Sequence, residues 1–399
     1  MRVKKTKKYA WVMDAFSQTS FSTKARAMKH FLTGKKSYLP MKKTQADMES
    51  VIKCALCPNM CRFDCPVLEA EKNEATSPSG KMRIAYLIET GRLDGKDAFE
   101  LMYKCAGCDA CIQWCPFDFS VGDILKGVRA DIVADNRIPE DAAGIKEHLE
   151  KNHTMNKRNV DIKGSEKGDI LYFMGCTILS EKGEIAEAMM GIFNTVGEKY
   201  TTIMDEWCCG APLINLGFTK TFKHFAEHNV EKIKDSGCKT VVCSCPTCAY
   251  ILRQVYSQMN FEIKAQVLHS SEYLLSLMKD KKMRFGHLEK ECVYHDPCTL
   301  VRKLGIEEEP RKVLKNIPGM VVKEPYFSRM DTKCCGRGGS LGNTNPDIAE
   351  KIAQKRIAEL IDEAKCIVTA CPTCTLAFDG CEVYDISEIV IKSLEKKNE

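Results

Sequence analysis

The tripeptide Cys-Cys-Gly occurs at 208–210 and again at 334–336, 126 positions further on. In both copies 35 residues separate the second cysteine from a Cys-Pro-Thr-Cys motif, at 245–248 and 371–374. Adjacent cysteines reach one compact site only if the backbone turns sharply, and Gly210 and Gly336 supply that freedom. Counting outward, the first set is Cys176, a gap of 31 residues, Cys208, Cys209, Cys245 and Cys248. The second is Cys298, a gap of 35 residues, Cys334, Cys335, Cys371 and Cys374. The copies differ by one four-residue indel, so a unit of fold has been duplicated together with its thiols.

Short apolar runs of strand character lie at 169–175 (DILYFMG), 239–244 (KTVVCS), 292–296 (CVYHD) and 365–370 (KCIVTA). Helical patterns alternate with them. Residues 218–237 carry Phe218, Phe222, Phe225 and Ile233 on one side and end at Gly237. Residues 345–365 open with Asn345 as N-cap and Pro346 at the first helical position, with Ile348, Ile352, Leu360 and Ile361 as the apolar face. Strands alternating with helices predict an α/β fold with parallel sheets, here two duplicated βαβ units. Each Cys-Pro-Thr-Cys follows a strand and opens a helix; each Cys-Cys-Gly follows a weaker strand. Five sulfurs then sit at the carboxyl ends of strands, where open α/β sheets bind ligands. A helix N-terminus there favours the thiolate.

The region before the repeats is different. Its helical spacing, as at Met82, Ala85, Tyr86 and Ile88, and its lack of β-branched runs predict an α-helical domain. It holds CALCPNMCRFDCP (54–66) and CAGCDACIQWCP (105–116). The second is the bacterial ferredoxin run, with gaps of two, two and three and a following Pro; the first has one extra residue between Cys57 and Cys61. In two-cluster ferredoxins the fourth cysteine of each run crosses to the other cluster. That assigns Cys54, Cys57, Cys61 and Cys115 to one cubane [4Fe-4S] cluster and Cys105, Cys108, Cys111 and Cys65 to the other. Two structural zinc sites would also use paired CxxC, but leave the Cys-Pro in each run unexplained. The chain thus divides into a basic N-terminal extension (1–50), an α-helical two-cluster domain (51–165), and two cysteine-rich domains (166–286 and 287–399), with polar residues 152–168 as a linker.

With 23 cysteines and no apolar run after its basic start, the chain reads as cytoplasmic with reduced thiols, and clusters of cysteines as metal or redox centres. No stretch predicts a direct transmembrane segment. A net charge of +5 does not suggest nucleic acid as a partner. Ten Lys in the first 43 residues make either a solvated arm or a docking arm for an acidic partner or anionic membrane. The stretch GRGGSLG (336–342) lacks the spacing and preceding strand of a dinucleotide site, so no flavin or NAD is expected in this chain.

Five thiols exceed the four of an ordinary cubane or a tetrahedral zinc site. The repeated pattern resembles the cysteine-rich CCG domain of heterodisulfide reductases and related iron–sulfur oxidoreductases. A ferredoxin-type module followed by two CCG domains, over roughly residues 50–399, is similar to the membrane-linked heterodisulfide reductase D subunit. The resemblance implies that each five-cysteine set holds a noncubane [4Fe-4S] cluster, on Cys176, Cys208, Cys209, Cys245 and Cys248 and on Cys298, Cys334, Cys335, Cys371 and Cys374. It implies two such clusters facing across a cleft, where the mixed disulfide of coenzymes M and B is split, with Cys209 and Cys335 as catalytic candidates. Structural zinc in one set remains the other reading.

Related sequences often carry His directly after the first cysteine of the second set; here Thr299 stands there. His295 remains, either as proton donor or sulfur hydrogen-bond donor, or as a residue that only satisfies a strand end. Arg302, Lys303 and Arg337 lie beside cluster cysteines and suit the anionic group of a substrate thiol, or compensate cluster charge. Cys238, Cys243, Cys292, Cys366 and Cys381 read as small buried apolar residues. Two functions follow. One is a disulfide reductase subunit with a small thiol/disulfide substrate. The other is an electron-transfer subunit of a flavin-dependent 2-hydroxy-acid dehydrogenase or an electron-transferring-flavoprotein:quinone oxidoreductase. Either needs a partner, a flavoprotein or dehydrogenase or a membrane cytochrome b-type subunit, and any membrane association comes through it.

Overall fold

The computed structural model describes residues 17–33, 40, 43–159 and 168–395. Most of the basic extension's lysines and the centre of the 152–168 linker lie outside the described residues. Within the extension, Phe21–Thr33 is a helix. Residues 48–152 form helices and 3-10 turns, with no strand among the described residues.

Beyond residue 168 the chain alternates. Strands β1 (Ile170–Phe173), β2 (Tyr200–Thr201), β3 (Thr240–Cys243) and β4 (Gln266–His269) make one parallel sheet in the order β2-β1-β3-β4. Strands β5 (Lys290–His295), β6 (Met320–Lys323), β7 (Cys366–Thr369) and β8 (Glu382–Asp385) make a second, parallel, in the equivalent order β6-β5-β7-β8. The register aligns Phe173 with Cys243 and His295 with Thr369. The central strands bury both faces, as in a sheet covered by helices on either side.

The sheets share one core. The helix Gly183–Val196 packs on Ile386–Ser393, and Ser270–Lys279 packs on Glu308–Lys315. These are equivalent helix pairs with the domains exchanged, so the two repeats are related by an approximate two-fold axis. Tyr172, Phe193, Tyr294 and Val368 fill that shared core. The helical region covers the opposite faces: Val51, Met82 and Leu125 join Leu171 and Phe222, while Val67 and Ala106 join Cys334 and Ile348.

The expected helices are present, with differences at their ends. Thr219–Ser236 buries Phe222, Phe225 and Ile233 and stops at Gly237 in the left-handed region (φ 66°). Pro346–Ile361 starts at Pro346, but the Asn345 side chain turns to Thr344 Oγ1 and makes no cap hydrogen bond. Ile361, expected on the apolar face, is 46% exposed because Leu360 already takes the inward direction of that turn.

Candidate functional site

Each sheet ends in thiols. Cys176 opens the helix Cys176–Ser180 just past β1, Cys208 and Cys209 follow β2, and Cys245 caps the helix Pro246–Tyr250 just past β3. Since β1 lies between β2 and β3, the three strand ends bring all five sulfurs to one edge, at the point where the strand order reverses. The second domain repeats this with Cys298 past β5, Cys334 and Cys335 past β6, and Cys371 past β7.

The Cys-Cys-Gly turns are tight. Gly210 has φ 84° and Gly336 φ 90°. A Cβ on Gly210 would lie 2.7 Å from the Phe222 ring, and one on Gly336 would strike the carbonyl oxygen of Ala349. Both turns therefore require glycine for space as well as for φ.

Sulfurs meet within each set. Cys208 Sγ lies 3.7 Å from Cys176 Sγ. Cys209 accepts from the Cys208 and Cys248 thiols, which hold it down to about 6. Cys335 accepts from Cys334 and Cys374, which hold it well below the thiol range. The second cysteine of each pair is thus the preferred thiolate, the form that binds metal or attacks a disulfide.

The surroundings of the two sets differ. All five cysteines of the first line a cleft of about 160 Å³ whose far wall is Arg337, Gly338, Ser340, Pro372 and Thr373 of the second domain. None of the second set's cysteines lines it. The free thiol of Cys334 instead faces Cys108 of the helical region, and that of Cys371 faces Cys245 of the first set. Thiol contacts therefore run from Cys108 through the second set to the first.

The earlier eight cysteines line two cavities. One has Cys54, Cys57, Cys61, Cys115 and also Cys111 on its wall. The other has Cys65, Cys105, Cys108 and Cys111. Burial and neighbouring thiols push Cys54 and Cys61 up to about 12, so metal entry there must release protons. Among the described residues, no three His, Cys, Asp or Glu side chains converge on a single-ion site. The donors are all soft thiols grouped around shared spaces, a chemistry that fits iron–sulfur clusters.

Of the three cations named from sequence, Arg337 lines the cleft. Arg302 donates to the carbonyls of Met330 (2.9 Å), Cys108 (2.8 Å) and Thr332 (2.6 Å) and staples the second domain to the helical region. Lys303 pairs with Asp109 at 2.6 Å beneath the Tyr250 ring. His295 is buried. Its Nδ1 accepts from Arg356 Nε at 3.3 Å, which leaves the proton on Nε2, an atom with no partner among the described residues. Burial and the Arg356 charge hold the imidazole down to about 3, and Cys335 is its nearby anion.

Cys243, Cys292 and Cys366 are buried within strands, and Cys238 and Cys381 are half-buried. Glu206 escaped the sequence reading. Its buried carboxylate accepts from the Met174 (3.0 Å) and Gly175 (2.6 Å) amides and fixes the turn before Cys176. Only its position two residues before Cys208 hinted at this, and the second copy has Thr332 there.

A family model described as a cysteine-rich domain matches residues 170–253 and 292–379, and one described as a 4Fe-4S dicluster domain matches residues 50–119. The D subunit of the dihydromethanophenazine:CoB–CoM heterodisulfide reductase of Methanosarcina acetivorans is 30% identical, over 73% of this chain and 78% of that one. The EtfAB:quinone oxidoreductase of Syntrophomonas wolfei is 26% identical, over 74% of this chain and 47% of that protein. A crystal structure of a hypothetical protein from Helicobacter pylori superposes with a TM-score of 0.55 at 10% identity, over 98% of this chain and 76% of that one, a likeness of fold alone. The duplicated thiol edges, the two thiol cavities and these matches together place the chain in the CCG-domain iron–sulfur oxidoreductase family.

Proposed function

We propose that this chain is the iron–sulfur subunit of a disulfide reductase, in which two cubane [4Fe-4S] clusters feed two noncubane [4Fe-4S] clusters at the Cys-Cys-Gly sets. One observation carries the reading: all five thiols of the first set open into a cleft walled by the second domain, with Arg337 at its side. A relay module has no need of an open cleft at its terminal thiols. The grouping of Cys54, Cys57, Cys61 and Cys115 around one cavity, and of Cys65, Cys105, Cys108 and Cys111 around the next, supports the two cubane sites.

When bound, the clusters supply electrons one at a time. The disulfide takes two electrons and two protons, its S–S bond breaks, and two thiols leave. The electrons come from a flavoprotein or cytochrome b-type partner, and the protons from solvent reaching the cleft. Within this scheme Arg337 holds an anionic substituent of the disulfide by a charge-assisted hydrogen bond. Cys209 and Cys335 bear the thiolate density of the two sets. His295, neutral and with an Nε2–H that has no protein partner among the described residues, would be free to donate to a cluster held by the second set and does not serve as an imidazolium acid. The contacts Cys108–Cys334 and Cys371–Cys245 favour electron entry at the second set and chemistry at the first.

The second reading, electron transfer toward quinone, is favoured by the likeness to an EtfAB:quinone oxidoreductase. Turnover separates the two. The purified, iron-loaded chain with reduced viologen is expected to cleave a coenzyme M–coenzyme B-type mixed disulfide, measured as free thiol. Viologen oxidation that needs a quinone and yields no thiol would favour the second reading.

A further inference from the structure

The two cavities assigned to cubanes differ in charge. On the wall of the cavity holding Cys65, Cys105, Cys108 and Cys111 stands Lys81, which is 1% exposed. No carboxylate pairs with its ammonium among the described residues. A buried charge left this way is unfavourable unless a countercharge lies beside it. Four thiolates around an iron–sulfur core are such a countercharge.

Further cations act on this cavity. Arg129 is 3% exposed; its Nε and one amino group bind the carbonyls of Met102 and Asn215, and its other amino group has no partner. Arg129 lines a neighbouring cavity together with Cys105. Arg302 reaches the Cys108 carbonyl at 2.8 Å. Asp109, a buried acid on the wall of this cavity, is paired with Lys303. Among the described residues no Lys or Arg lines the cavity of Cys54, Cys57, Cys61 and Cys115; Arg83, which acts on Cys54, is exposed, with its Nε bound to the Ala55 carbonyl. Water screens an exposed charge far more than a buried one.

We propose that Lys81, supported by Arg129, sets a potential step between the two cubane sites, so that electrons run from the Cys54/Cys57/Cys61/Cys115 site inward to the site that touches Cys334. Reduction adds one negative charge, and a buried cation stabilises the more negative state most. One electron leaves the outer site, which is oxidised, and enters the inner site, which is reduced; no bond or proton changes. The inference rests on the reading of both cavities as cubane sites, and names Lys81 as a positioning residue of the relay.

The test is a potentiometric titration of the full, iron-loaded chain with dithionite, followed by electron paramagnetic resonance. The inner cluster is identified as the signal lost in Cys105→Ala. Lys81→Met is expected to shift the electron's distribution away from the inner cluster by about tenfold or more, which is ~59 mV for a one-electron couple. The outer cluster stays in place, and Lys81→Arg restores the wild-type value. If Lys81→Met fails to assemble the inner cluster, Arg129→Met is read instead, with a shift in the same direction. An unmoved inner potential, or equal movement of both clusters, overturns the proposal. Absence of two cubane signals in the wild-type chain would instead refute the underlying reading of the cavities.

Discussion

The two cysteine-rich domains share strand order, thiol placement and glycine turns, yet their thiols face different neighbours. The first set opens to a cleft with Arg337 on the opposite wall. The second faces the helical region: Cys334 lies against Cys108 and on the wall of a separate cavity of about 360 Å³ with Asp64, Lys333 and Arg356, Arg302 laces the surrounding loops to the helical region, and His295 and Arg356 lie buried behind Cys335. Duplication supplied two equivalent sites, and docking of the helical region made them unequal. The lesson is that identical ligand patterns acquire different roles from what covers them. In the proposed scheme the first set is where the substrate arrives and the second where electrons enter.

Removing one thiolate from each set breaks this comparison most strongly. Cys209→Ala and Cys335→Ala should both lower disulfide turnover by more than ~100-fold, the upper end for changes around a metal's ligands. They should differ in where electrons stop. With a reduced donor and freeze-quenched resonance spectra, Cys209→Ala still allows reduction of the second set, whereas Cys335→Ala halts electrons at the cubanes. Equal reduction of the remaining set in both variants would remove the proposed order.

The cations sharpen it further. Arg337→Ala is expected to raise KM for an anionic mixed disulfide by roughly tenfold to a hundredfold, the worth of a charge-assisted hydrogen bond, with less change in kcat. Arg302→Ala should leave that KM in place. It would instead cost about 1–3 kcal/mol of stability, read as a lower melting temperature, because three carbonyls lose their donor. If the two variants exchange phenotypes, the cleft is not the substrate site.

Much of this was legible in the sequence. The central strands β1, β3, β5 and β7 are continuous apolar runs because both their faces are covered, and such runs are easy to find. The outer strands are not. β2 has two residues, and Gln266–His269 and Glu382–Asp385 mix polar and apolar side chains as half-covered edges do. The thiol sets could be counted from spacing alone, since a ligand set leaves a fixed pattern of cysteines. Their unequal surroundings could not. Arg302 and Arg337 look alike beside their cysteines, and only packing assigns one to the seam and the other to the cleft. Lys81 reads as an ordinary polar position in a helix until four thiols from two separate runs are brought against it.

The central claim is that each cysteine-rich domain holds its own four-iron cluster in addition to the two cubanes. Metal analysis of the anaerobically purified chain, combined with resonance spectroscopy, tests it most directly. About sixteen irons per chain, four for each of four clusters, and no zinc are expected. About eight irons with zinc in their place at the Cys-Cys-Gly sets would contradict it.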